Sequence, residues 1–239
     1  TCSPSIGADV SDLFNFLTGF SRQRLYRKIL VAPANLRERV IELIDREADH
    51  ARQGRPAGVI AKMNALVDPQ TIRALYRASR AGVHIDLLVR GTCCLRPGLP
   101  GVSDRIRVTS IVGRFLEDSR IWMFENGGAP EYYLGSADWM PRNFDRRVEM
   151  VVPIDDPALH LRLRRLLHSC LADNRQAWDL RSDGTYVKRH AGDSREVSAQ
   201  VSFIGDPWGL DVVEPPSPSA LATDEWPTAP PTGIKNGGF

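Results

Sequence analysis

Four places in this 239-residue chain gather residues able to bind or move a phosphoryl group. Lys62-Met63-Asn64 closes an apolar run. Arg90-Gly91-Thr92-Cys93-Cys94-Leu95-Arg96-Pro97-Gly98 is a Gly-bearing loop with two guanidiniums. Such a loop can hold phosphate through backbone N–H groups and bidentate arginine contacts. Arg114-Phe115-Leu116-Glu117-Asp118-Ser119-Arg120 leads into an apolar strand and then Glu125-Asn126-Gly127-Gly128. Gly135-Ser136-Ala137-Asp138-Trp139-Met140-Pro141-Arg142-Asn143 is followed by Asp145-Arg146-Arg147-Val148-Glu149. Lys62, Arg90 and Arg120 are candidate phosphate-binding cations. Arg147 and Glu149 close the fourth segment.

Positioning these residues requires strands that end together. Open α/β sheets bind ligands at strand carboxyl ends. Gly58–Met63 reads as a buried strand. Asp68-Pro69 opens a helix with proline at its first position, and Ile72, Leu75, Tyr76 and Ser79 mark its face. Gly82 ends it, and His84–Arg90 is a strand. A strand–helix–strand unit of this length predicts a parallel pair. Residues 8–29 and 35–53 read as helices, the second capped by Asn35 and striped by Leu36, Val40, Leu43 and Ile44. Asp9 and Ser11 offer cap oxygens to the first. Further strands are predicted at Ile106–Val112, Ile121–Phe124, Tyr132–Gly135 and Val148–Val152. A helix runs from Pro157 to about Asp173, and a short helix is expected over Asn174–Trp178.

Charge divides the chain unevenly. The net charge is +2. Residues 191–239 carry seven acidic and two basic residues, −5, against 22 acidic and 29 basic before them, +7. The basic part suits an anionic partner. Only four of the 31 basic residues are Lys, and arginine favours bidentate phosphate contacts; biased base composition in the gene would produce the same skew. Seven of the 17 prolines lie between 207 and 239, so residues 191–239 read as an acidic, Pro-rich, disordered tail behind one domain over 1–190. The four cysteines, Cys2, Cys93, Cys94 and Cys170, form no CxxC pair and share no metal-ligand spacing with the five histidines. They read as free, buried thiols in a reducing cytosol, and no metal ligand is assigned. No transmembrane span and no signal peptide are visible. There is no helix-turn-helix signal and no basic helix, so nucleic acid is not the expected partner. The chain starts at Thr1, without Met, which suggests a fragment or a processed chain.

The third and fourth segments resemble a phospholipase D-like pattern of His-x-Lys, Asp and Gly-Ser-x-Asn. The matching positions are Asp118-x-Arg120, Glu125 and Gly135-Ser136-x-Asp138. The cation and the Gly-Ser are kept, and the histidine is not. Longer strings carry a more specific likeness. Asp9–Gly19, Ala61–Asp68, Arg90–Gly98, Ser110–Glu117, Ser136–Asn143 and Leu171–Asn174 resemble the C-terminal domain of bacterial polyphosphate kinases of the first class, over roughly residues 5–200.

That resemblance implies an α/β, phospholipase D-like lobe with a mixed, largely parallel sheet flanked by helices. It implies reversible transfer of the terminal phosphate of ATP to inorganic polyphosphate through a phosphohistidine, with magnesium. The lobe bearing that histidine would precede Thr1, and the magnesium ligands would lie outside this chain. ATP, ADP, polyphosphate, the missing N-terminal portion and further copies of the chain are the implied partners. The implied location is the cytoplasm, with the inner membrane face as a peripheral station. Arg90 falls on the family's nucleotide-binding arginine. Arg147 and Glu149 fall on polar residues that the family keeps near its site, which implies that Arg147 could neutralise transition-state charge and Glu149 could orient it; the plain alternative for both is a surface ion pair. Asp118 falls where the family has its second histidine. A carboxylate there repels a triphosphate and cannot do an imidazole's proton chemistry near neutral pH. Two readings follow: the C-terminal lobe of a kinase that is inactive alone, or a truncated, catalytically inactive module that binds nucleotide or polyphosphate or assists assembly. A phosphodiesterase would need the missing histidine and a lysine at 120.

Overall fold

Every residue of the run Val59–Met63 is buried, which requires a sheet covered on both faces. The computed structural model describes residues 3–20 and 25–207 and shows this arrangement. Strand β2 (Gly58–Met63) lies parallel to β3 (His84–Val89), with Gly58 opposite His84 and Met63 opposite Val89. Helix α3 (Pro69–Arg80) connects them, as expected. Its cap is Asp68, whose carboxylate accepts the Thr71 N–H at 2.9 Å, and Gly82 leaves it at φ +103°.

Strand β4 (Ile106–Ile111) extends the parallel set beside β3. Antiparallel strands complete a nine-stranded sheet in the order β1-β7-β6-β5-β2-β3-β4-β8-β9. These are β1 (Leu30–Ala32), β5 (Arg120–Phe124), β6 (Glu131–Gly135), β7 (Glu149–Ile154), β8 (Ala177–Leu180) and β9 (Tyr186–Lys188). The mixed α/β sheet flanked by helices is as expected. The balance is not largely parallel: among the described residues two strand pairings are parallel and six antiparallel. The two parallel pairings are β2–β3 and β3–β4, joined by residues 64–83 and 90–105.

Alternation along β2 separates two cores. Val59, Ala61 and Met63 pack with α2 (Leu36–Arg52) and α3, and Ile60 packs with α5 (Pro157–Leu171). Lys62 shares the parity of Ile60 and points to the α5 side.

Several local expectations change. The first helix, α1, spans Pro4–Leu17 and not 8–29. Asp9 is not a cap: fully buried, it accepts the backbone N–H groups of Arg27, Lys28 and Ile29 at 2.9, 2.6 and 3.1 Å. Asn35 sits at the start of α2, but its side chain accepts from Val31 N at 2.8 Å and so ties β1 to the helix. The expected helix at 174–178 is the turn into β8. Asp173 takes the N–H groups of Arg175, Gln176 and Ala177 there.

A short helix, α4 (Pro141–Arg146), was not foreseen. Nor was α6 (Ala199–Gly205), which begins with two buried residues, Ala199 and Gln200. The folded region therefore runs past 190 to about 207, and the expected disorder over 208–239 falls outside the described residues. Cys93, Cys94 and Cys170 are free; Cys170 is buried, as expected, but Cys93 is half-buried and Cys94 exposed. No helix among the described residues is long and apolar enough to cross a membrane.

Candidate functional site

Sheet register brings the four sequence segments to one edge. Lys62 at the end of β2 pairs with Ile121 at the start of β5. Arg120 pairs with Gly135 at the end of β6, and Gly135 with Val151 near the start of β7. Arg90 follows the end of β3. The close packing depends on Gly135, because a Cβ there would stand 2.7 Å from the Met150 carbonyl oxygen and 2.9 Å from Val151 Cα.

Asn64 is the hub, and residue typing alone did not single it out. Its backbone N–H donates to Asp138 Oδ1 at 2.7 Å. Its side-chain oxygen accepts from Arg90 Nε at 2.9 Å, and its Nδ2 donates to Asp118 Oδ1 at 2.6 Å. Arg120 completes the ring. Its Nη1 approaches Asp118 Oδ2 at 3.1 Å and donates to the Asp118 carbonyl oxygen at 2.7 Å. Its Nε and Nη2 donate to Asp138 at 3.2 and 3.3 Å. The hydrogen bond from Asn64, with Arg120 and Arg90 nearby, holds the Asp118 carboxyl below the usual aspartate value, so it is charged at neutral pH.

The candidate cations differ sharply. Arg90 is exposed, and among the described residues its two terminal nitrogens have no hydrogen-bond partner. Arg120 is half-buried and spent on Asp138 and Asp118. Lys62 has a side chain only 4% exposed, with its ammonium 3.0 Å from Glu117 and 2.9 Å from Ser119 Oγ. It anchors the loop before β5 and presents no free donor to a ligand. Arg147 is exposed and lies 3.8 Å from Glu149. Glu149 is buried and takes hydrogen bonds from Ser136 Oγ and, at 2.5 Å, from Asn143 Nδ2. Glu149 thus fixes the Gly-Ser turn and α4 as well as facing Arg147.

Several backbone N–H groups of the Arg90–Gly98 loop are spent inside the fold. Gly91 N donates to Asn64 O and Cys94 N to Leu66 O, extending the β2–β3 ladder beyond the strands. Arg96 turns away and donates through Nε to Ser182 O at 2.8 Å. Glu125 lies at the opposite end of the sheet, where its N–H meets Gly58 O at the start of β2; it is not part of this site. A cleft of about 320 Å³ opens beside Arg90, lined also by Gly91, Ser110, Val112, Trp178 and Tyr186. Trp178 and Tyr186 come from the β8–β9 hairpin, whose Asp183-Gly184 turn is a sequence signal that the expected helix at 174–178 passed over.

The carboxylates at this edge are each matched to a donor or cation of the chain. No grouping of three His, Cys, Asp or Glu among the described residues could hold a metal ion. The residues here do not fit a protein-held divalent cation, and no step is routed through one.

An exposed guanidinium lining a cleft fits the family that the strings resemble. The family model described as polyphosphate kinase C-terminal domain 2 matches residues 29–200. The chain belongs to the polyphosphate kinase family. Polyphosphate kinase from Thermosynechococcus vestitus is 65% identical over 189 residues, which is 79% of this chain and 26% of that protein. Polyphosphate kinase from Synechocystis is 58% identical over 204 residues, 85% of this chain and 28% of that protein. The crystal structure of polyphosphate kinase from Porphyromonas gingivalis superposes with a TM-score of 0.81 at 42% identity, covering 84% of this chain and 31% of that one. The chain spans between a quarter and a third of the length of these relatives.

Proposed function

We propose that this chain is the phosphate-holding C-terminal lobe of an ATP:polyphosphate phosphotransferase. In this reading it binds nucleotide and polyphosphate while the terminal phosphate of ATP passes reversibly to a polyphosphate chain. The observation that carries the reading is Arg90. Its Nε is locked to Asn64, which aims the guanidinium, while the residue is exposed, lines a cleft, and among the described residues has no hydrogen-bond partner at either terminal nitrogen. A guanidinium held this way is pre-organised for bidentate contact with phosphate oxygens.

Phosphoryl transfer needs positioning and charge stabilisation. Arg90 supplies a fixed contact and Arg147 a second, mobile positive charge at the same edge. Asp118, held charged at neutral pH by its donors, has no proton to give as an acid and is a weakened base, and Glu149 is enclosed by Ser136 and Asn143. In this reading the histidine nucleophile of the covalent intermediate is supplied by another lobe of the enzyme. Asp118 at the histidine position also favours a second reading, a module that binds phosphates without catalysing transfer.

Calorimetric titration of the 239-residue chain with ATP and with tripolyphosphate tests the common ground of both readings. Binding is expected, and Arg90→Gln should weaken it about tenfold. Equal binding by parent and Arg90→Gln, or no binding at all, would overturn the assignment. Transfer assays with the upstream part of a relative's enzyme supplied in trans or fused then separate the two readings.

A further inference from the structure

The Asp118 carboxylate lies in a cluster of donors of the kind that bind phosphate oxygens. Asn64 Nδ2 and Arg120 Nη1 converge on its two carboxylate oxygens at 2.6 and 3.1 Å. Arg90 is linked to the same group through Asn64. These are the donors a phosphate would recruit. We propose that the Asp118 carboxylate is a built-in occupant of this phosphate cradle, so that ligand enters by displacing it, and that the displacement selects condensed phosphate chains over single phosphates. The inference rests on the phosphate-binding reading above.

Three observations allow the displacement. The Asp118 side chain is 56% exposed, so it can rotate into water with little loss of solvation. Its neighbours stay in place, because Lys62 holds Glu117 and Ser119 on either side. The cradle survives its departure, because Asp138 keeps both Arg120, through Nε and Nη2, and the Asn64 backbone. What is released is one amide donor and one guanidinium donor beside the open end of Arg90.

Selectivity follows from competition. A single phosphate must displace an intramolecular anion and gains only the donors that anion leaves. A chain of condensed phosphates engages the free nitrogens of Arg90 first, and its next phosphate then competes with Asp118 at high effective concentration. A neutral or cationic residue at 118 would impose no such competition.

The test is calorimetry on the 239-residue chain at neutral pH and low salt, with tripolyphosphate and orthophosphate as probes. The variants are Asp118→Asn, Asp118→Ser and Arg90→Gln, each checked for folding by circular dichroism. Asp118→Asn and Asp118→Ser should bind tripolyphosphate about tenfold more tightly than the parent, as removal of a close like charge predicts. Their preference for tripolyphosphate over orthophosphate should narrow. If both bind tripolyphosphate no better than the parent while Arg90→Gln still weakens binding, Asp118 is a supporting residue and the inference is wrong. If the parent and all variants fail to bind, the phosphate reading fails and takes the inference with it.

Discussion

At the start of β2 the Glu47 carboxylate, fully buried, accepts the backbone N–H groups of Gly58 at 3.2 Å and Asn126 at 2.9 Å. At the end of the same strand Asn64 and Arg120 direct donors at Asp118, more than half of whose side chain faces solvent. Both ends of the sheet thus set a carboxylate among donors. At the first end the donors are two backbone groups and Arg46, whose Nη2 lies 3.5 Å from Glu47 and 2.9 Å from Glu131, so that guanidinium is held between two carboxylates of the fold. At the second end the donors are side chains, and Arg90 keeps free nitrogens beside a cleft. The difference teaches that a carboxylate in a donor cluster marks a site only where the donors outnumber the acceptors the fold supplies.

The comparison breaks most visibly in stability. Glu47→Ala strands two part-buried N–H groups beneath a fully buried carboxylate site and should cost about 1–3 kcal/mol in urea unfolding. Its folded fraction should bind tripolyphosphate as the parent does. A binding defect as large as that of Arg90→Gln would mean the two ends are not separate.

Gly135→Ala probes the joint between sheet and site. The added Cβ meets backbone on β7, which cannot swing aside. A cost of about 1–3 kcal/mol is expected, together with loosening of Ser136 from Glu149. A stability unchanged in thermal or urea melts would show that β6 and β7 can separate there. Arg90→Gln gives the reverse profile: stability within about 0.5 kcal/mol of the parent, with the tenfold loss of phosphate affinity already stated.

How far the sequence carries is visible in the same residues. The β2–α3–β3 unit was legible because Asp68-Pro69 and Gly82 punctuate an apolar pattern of the right length. The strands β4 to β7 were placed to within a few residues for the same reason. Residues 174–188 were not read as a hairpin, although Asp183-Gly184 makes the turn between Arg181 and Thr185, with Gly184 at φ +91°; Asp173 organises the separate turn into β8 through side-chain bonds that periodicity does not register. Lys62, Arg90 and Arg120 look alike as charges in a string. Their burial and partners, which depend on register across four strands, make one an anchor, one a free donor and one a bridge. Asn64 and Asp138 stood within the quoted segments, but their role as hubs is a tertiary fact.

The smallest expected effect is in pH dependence, and there the two ends oppose each other. Burial raises the Glu47 carboxyl above its ordinary value of 4.5, against the pull of its two backbone donors. The folded protein therefore holds that proton more tightly than the unfolded chain does. Its contribution favours folding at low pH and is lost as pH rises from about 4.5 through the folded value. Asp118 is lowered below 3.8 by Asn64, Arg120 and Arg90. Its contribution is present above 3.8 and is lost as pH falls through the folded value. Solvent at Asp118 screens this contribution to no more than a surface ion pair's small share. Carboxyl-carbon NMR titration should find the Glu47 midpoint above 4.5 and that of Asp118 below 3.8. Glu47→Gln should flatten the decline in stability above pH 4.5, and Asp118→Asn should flatten the decline below 3.8. Midpoints displaced in the same direction would mean that the donors at the two ends hold their carboxylates alike, and that Asp118 is a structural acceptor in the manner of Glu47.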